Sequence, residues 1–117
     1  MSGEPTHIEI GVPDTDRAQR FYGELLGWEF EGTRKGARIR TGGIPMGLHR
    51  DERGPEVLAF YSVADLDAAA KRIVELGGEV DEAGGEDDSG RWLYSCRDDQ
   101  GVVFGLHEPA GQGPAST

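Results

Sequence analysis

The chain has 117 residues, 36% of them hydrophobic and 19 of them glycine, which suits one ordinary domain with a core and many tight turns and excludes a wholly disordered chain. Twelve Lys and Arg against 22 Asp and Glu leave a net charge of −10, which repels phosphate backbones and anionic lipid and argues against nucleic acid and membranes as partners. A lone cysteine, Cys96, excludes an intrachain disulfide; with no basic leader and no long apolar run, a cytoplasmic location is expected.

In chain order, His7–Val12 alternates and is partly β-branched, which predicts a strand. Asp14 is placed to cap a helix and Asp16 to sit in its first turn. Ala18, Phe21, Tyr22, Leu25 and Leu26 then form one apolar helical stripe, which Gly27 ends. Strands are predicted at Trp28–Glu31, Ala37–Thr41 and Ile44–Arg50, followed by a polar connection over 51–55. The pattern then restarts. Val57–Val63 reads as a strand, Asp65 as a cap, and Leu66, Ala69, Ala70 and Ile73 as a helix face that ends at Gly77 and Gly78. A strand begins at Glu79–Asp81, Gly84–Gly90 is expected to be an acidic loop, and Arg91–Arg97 and Val102–Glu108 are the closing strands. The tail Ala110–Thr117 is expected to be flexible.

The restart is an internal repeat. At a shift of 51, Val12, Asp14, Asp16, Ala18, Glu24, Leu25 and Gly27 meet identical residues at Val63, Asp65, Asp67, Ala69, Glu75, Leu76 and Gly78. Chance would supply about one identity in such a stretch. At a shift of 58, Gly43, Gly47, Leu48 and His49 meet Gly101, Gly105, Leu106 and His107. The second half therefore holds extra residues, and the acidic stretch Glu86–Ser89 is the expected place for them. Two βαβββ modules follow, about 6–50 and about 56–109. A two-fold homodimer is the expected oligomer.

The run His7-Ile-Glu-Ile-Gly-Val-Pro-Asp-Thr-Asp-Arg-Ala-Gln-Arg-Phe-Tyr-Gly-Glu-Leu-Leu-Gly-Trp resembles the opening of vicinal oxygen chelate proteins, the superfamily of glyoxalases, bleomycin-resistance proteins and extradiol dioxygenases. Ser62-Val-Ala-Asp-Leu-Asp-Ala-Ala, Glu75-Leu-Gly-Gly and Asp98-Asp-Gln-Gly-Val-Val-Phe-Gly-Leu resemble its second module. The resemblance spans 6–109. It implies an α+β fold in which two tandem βαβββ modules form a mixed sheet curled around a small-molecule cleft, a single glyoxalase-like domain over 1–117. Metal-dependent members hold a divalent ion with four His or Glu side chains. Those positions fall on His7, Gly47, Leu58 and Gly105, so three of the four carry no donor. The repeat relates the same four in pairs, since its two shifts carry His7 onto Leu58 and Gly47 onto Gly105. The resemblance thus implies no metal at the family position, and no cofactor is expected.

What remains is a set of candidate ligand-binding residues. Gly47 and Gly105 are expected to leave space, Leu58 and Phe60 to share one face, and Trp92, Tyr94 and Cys96 another. Such an aromatic wall suits a flat organic molecule. His7, with Glu9 on the same strand face, is the candidate hydrogen-bond partner or catalytic acid–base group. The leading expectation is a glyoxalase- or bleomycin-resistance-like protein that binds a small aromatic or apolar molecule in its cleft without the family metal. The alternative is a lyase, isomerase or dioxygenase that uses His7 or a rearranged divalent metal site drawn from His7, Glu9, His49, His107 and Glu108. A third reading is an accessory domain with a vestigial cleft. His49 and His107 are expected to be solvated at strand ends, as are Arg38 and Arg40 on a strand face. Cys96 lacks a nucleophile signature, and the run Glu79, Asp81, Glu82, Glu86, Asp87, Asp88 lacks the spacing of a calcium loop.

Overall fold

The structure is a computed structural model that describes residues 3–111. Its elements run β1 (Pro5–Val12), α1 (Thr15–Leu26), β2 (Glu29–Gly32), β3 (Gly36–Arg40), β4 (Met46–Arg50), β5 (Glu56–Ser62), α2 (Leu66–Glu75), β6 (Glu79–Asp87), β7 (Gly90–Arg97) and β8 (Val103–Pro109). The order is βαβββ twice, an α+β chain of two like modules. The described residues form two compact units, one of 7–58 and one of 3–6 together with 59–111.

Both helices start where the repeat places their caps. The Asp14 carboxylate accepts from the Arg17 amide at 3.1 Å, and Asp65 from the Ala68 amide at 3.0 Å. Each satisfies a helix N–H that has no partner in its own first turn. Gly27 closes α1 in the left-handed region at φ 72°, a conformation that costs glycine little. Asp14→Ala and Asp65→Ala are each expected to lower stability by about 1 kcal/mol, read as a shifted urea midpoint with an unchanged slope.

In the first unit the strand order is β2-β3-β4-β1, with β1 parallel to β4 and the other pairs antiparallel. Ile10, Ala37, Ile39 and Leu48 meet Ala18 of α1 in the core, flanked by Ile8, Val12, Tyr22, Trp28, Phe30 and Met46. Tyr22 stacks on Trp28 with ring centroids 5.0 Å apart. The helix stripe is narrower than its sequence predicts. Ala18 is buried and Tyr22 half-buried, one turn apart, while Phe21, Leu25 and Leu26 remain exposed. Thr15, Gln19 and Gly23 are half-buried beside them, so the covered face of the helix turns toward these small and polar positions.

In the second unit the order is β5-β8-β7-β6, again with one parallel pair, β5 and β8. Leu66, Cys96 and Leu106 are its core, with Val63, Ala69, Ile73, Leu93 and Phe104 against them. Residues 3–4 join this unit, since Gly3 N–H donates to the Ser62 carbonyl at 2.7 Å and Ser62 N–H to the Glu4 carbonyl at 2.9 Å.

Two expectations are corrected here. The acidic stretch is a strand, not a loop: β6 runs to Asp87 and pairs with β7 as far as Asp87↔Gly90. The additional residues lengthen a hairpin, with strands of 9 and 8 residues where β2 and β3 have 4 and 5. The tip is stabilised by the Asp87 carboxylate, which accepts from the Ser89 amide and hydroxyl. Gly84 lets the strands approach, because a Cβ there would lie 2.5 Å from the Trp92 carbonyl oxygen. Second, Cys96 does not share a face with Trp92 and Tyr94. An irregularity in the β7–β8 pairing between Leu93 and Cys96 turns Cys96 to the helix side with Leu93. Of the tail expected to be flexible, Ala110 and Gly111 form a turn, and 112–117 lie outside the described residues. No described helix is long and apolar enough to cross a membrane.

Candidate functional site

Strand alternation turns Ile8, Ile10 and Leu48 toward α1, so His7, Glu9, Gly47 and His49 share the opposite face of the first unit's sheet. Parallel pairing of β1 and β4 sets Glu9 beside Gly47 and Gly11 beside His49. There the Glu9 carboxylate is held between two imidazoles, with Oε1 2.7 Å from His7 Nε2 and Oε2 2.8 Å from His49 Nδ1. An ionised carboxylate only accepts, so both of these ring nitrogens donate. Burial pushes the Glu9 carboxyl up, but hydrogen bonds from His7 and His49 and the charge of those rings outweigh it, and its pKa ends below the usual 4.5. The three side chains keep 23%, 23% and 34% of their surface exposed, so a small molecule can reach them.

Gly47 does not leave the space its sequence suggests. A Cβ there would lie 2.5 Å from Glu9 Oε1, because the carboxylate has folded over the glycine to reach His49. His49 is correspondingly not a simple solvated residue. Its Nε2 faces Asp51 Oδ2 at 4.0 Å, and Asp51 is 7% exposed and accepts from the Arg53 amide at 2.9 Å. Sequence reasoning paired His7 with Glu9 through alternation but missed the link from Glu9 to His49. The signal would have been the β1–β4 register, which no local spacing supplies.

In the second unit Phe60 pairs in register with Gly105, and a side chain at Gly105 would overlap the Phe60 ring. The vacancy expected at Gly105 is therefore filled by carbon. Phe60 is 3% exposed and meets Trp92 and Tyr94 edge-to-face at 5.1 and 6.2 Å. Gly105→Ala is expected to cost about 1–3 kcal/mol by overpacking, measured by urea unfolding. His107, expected in solvent, is buried. It stacks on Trp92 at 3.8 Å with 9° between the rings, donates from Nε2 to the Ser89 carbonyl at 3.0 Å, and accepts at Nδ1 from the Thr6 hydroxyl at 3.2 Å. Glu108 accepts from the Leu66 amide at 2.9 Å, at the start of α2. His107 and Glu108, two of the candidates for a rearranged metal site, thus serve structure. Tyr94 stays 44% exposed, with its hydroxyl above Gly85.

The side chains at the four positions that the resemblance implies do not suit a divalent ion. His7 has turned to Glu9, Leu58 is a half-buried hydrocarbon, and the places above Gly47 and Gly105 are filled. Among the described residues no three His, Cys, Asp or Glu side chains group as metal ligands. Cys96 is 1% exposed, and burial, aided by the charge of Asp81, pushes its thiol up to about 11, which leaves it unreactive. Arg38 and Arg40 are exposed, as expected, and both lean on Glu31.

A sequence-family model described as a glyoxalase-like domain matches residues 7–107. The chain belongs to that family, within the vicinal oxygen chelate superfamily. It is similar to a glyoxylase-like domain-containing protein of Didymella fabae, with 29% identity over an alignment of 92 positions that covers 68% of this chain and 72% of that protein. Among solved structures it is similar to methylmalonyl-CoA epimerase from Mycobacterium tuberculosis, with 27% identity, a TM-score of 0.62, and 92% of this chain and 88% of that one covered. The Mn(II)-bound glyoxalase from Novosphingobium aromaticivorans shares the fold at 18% identity and a TM-score of 0.69, over 94% of this chain and 41% of that one.

Proposed function

We propose that this glyoxalase-like protein binds a small organic molecule and moves a proton on it with the His7–Glu9–His49 group, in lyase or isomerase chemistry that does not use a metal at the four family positions. The observation that carries the reading is the Glu9 carboxylate fixed between two imidazoles on a partly exposed sheet face. Glu9 orients both rings and stabilises the imidazolium that forms when either takes a proton. Two imidazoles on one carboxylate allow a proton to be taken at one ring and returned at the other. Similarity to an epimerase at 27% identity supports the same reading.

The test is incorporation of deuterium from D2O into a panel of carbon acids, followed by NMR, with EDTA-treated wild type and Glu9→Gln compared. Exchange that persists after chelation and falls in the variant supports the proposal. Exchange that chelation abolishes, or that the variant retains in full, overturns it.

A second reading, binding of an aromatic or apolar molecule without turnover, is favoured by the Trp92 and Tyr94 row, where Tyr94 presents an exposed ring. A ligand at 100 times its Kd stabilises the folded chain by about 2.7 kcal/mol, so thermal shift against aromatic panels, with Tyr94→Ala as control, checks it. Both readings place one glyoxalase-like domain in the cytoplasm as a two-fold homodimer, for which light scattering is the check.

A further inference from the structure

The outer face of α1 carries an aromatic ring and charges that its own unit does not use. Phe21 and Leu25, one turn apart, are 61% and 64% exposed. Arg17 and Glu24 lie two turns apart on the same side of the helix, about 10 Å along its axis, with Arg20 beside them. Arg17, Arg20, Phe21 and Glu24 line a groove of about 590 Å3 together with Val12 and Pro13 at the exit of β1. Among the described residues, the Arg17, Arg20 and Glu24 side chains make no ion pair.

The repeat supplies a comparison inside the molecule. In α2 the positions matching Arg17 and Phe21 are Ala68 and Arg72, and Arg72 pairs with Glu75 of its own helix at 3.1 Å. The charge there is met within the chain. Only α1 sets an exposed aromatic ring among arginines, the residue types that interfaces concentrate at their centres. The order of charge along α1 then selects the occupant. When a second α1 lies antiparallel about a two-fold axis, Arg17 meets the partner's Glu24 and Glu24 meets the partner's Arg17. Phe21 falls at the axis, where Arg20 can cover the partner's Phe21. A two-fold interface uses one patch twice, so both ion pairs form together.

We infer that a second copy of this chain docks on α1, antiparallel about a two-fold axis, with Phe21 at the centre and an Arg17–Glu24 pair at each end. This gives the expected homodimer a face, and it stands independently of the proton-transfer reading. In the first unit α1 covers one side of the sheet, while His7, Glu9 and His49 lie on the other. Docking at α1 therefore leaves that group uncovered.

The experiment is sedimentation equilibrium of the full chain over a range of concentrations. Wild type is expected to form a dimer. Phe21→Glu, Arg17→Glu and Glu24→Arg should each weaken it about tenfold or more. All three positions are exposed, so circular dichroism should show an unchanged fold. The two charge reversals combined in one chain restore both pairs and should recover the dimer. A mixture of the two single reversals also restores both pairs and should give a heterodimer. A chain that stays monomeric at millimolar concentration overturns the inference, as does a dimer that Phe21→Glu leaves intact. Charge reversals whose loss neither the double variant nor the mixture recovers overturn it as well. None of these outcomes touches the proton-transfer reading, which deuterium exchange tests separately.

Discussion

Replacing Glu9 by Gln is expected to lower proton exchange by about two to four orders of magnitude, the usual worth of a positioned acid–base group, with little change in fold. Glu9 accepts from both His7 Nε2 and His49 Nδ1. A Gln side chain offers one oxygen and one NH2, so at least one imidazole faces a donor instead of an acceptor and must rotate or change tautomer. The charge that would stabilise an imidazolium is also gone. The loss should fall mainly on kcat, because neither ring is removed. Stability carries a second signature. The folded Glu9 carboxyl lies below its usual 4.5, so its contribution is present above that value and is lost as pH falls through the lower, folded value. Wild type and Glu9→Gln should therefore differ most near neutrality and converge in acid. Urea unfolding across that range checks it, and parallel curves at every pH would mean that Glu9 is not held as an ion.

Phe60→Ala is expected to destabilise the protein by about 3–5 kcal/mol, a large share of the roughly 5–15 kcal/mol that holds a domain. The ring is 3% exposed, lies over Gly105 and meets Trp92 and Tyr94 edge-to-face. Its removal forfeits burial and leaves a cavity that a β-strand backbone collapses into poorly. The partner substitution gives the sharper test. Gly105→Ala is costly beside the ring and loses its main clash once the ring is gone, with only the Leu93 carbonyl oxygen left at 3.0 Å, so the double variant should be more stable than the sum of the two losses. Strict additivity in urea unfolding would show that the two positions do not touch.

Much of the fold was legible because it is local and repeated. Asp14 and Asp65 cap their helices from matched positions, and Gly27 ends the first with a left-handed turn. Strand positions follow alternation to within a few residues. The acidic stretch read as a loop because charge and glycine are loop signals, yet its backbone pairs with β7, and partners in a hairpin outweigh local composition. His107 read as solvated because a polar residue at a strand end usually is. Burial became tolerable once Thr6, Ser89 and Trp92 gave both nitrogens and the ring face a partner, and Thr6 lies 101 residues away in the chain.

The sequence by itself determined the repeat, the two βαβββ modules and the absence of donors at three of the four positions that the family resemblance implies for a metal, because residue identity and spacing are one-dimensional facts. Tertiary structure decided what stands in their place. Only the parallel register of β1 with β4 brings Glu9 to His49, and only that of β5 with β8 lays Phe60 over Gly105. Strand pairing joins residues some forty positions apart, and no local periodicity encodes which pair will meet.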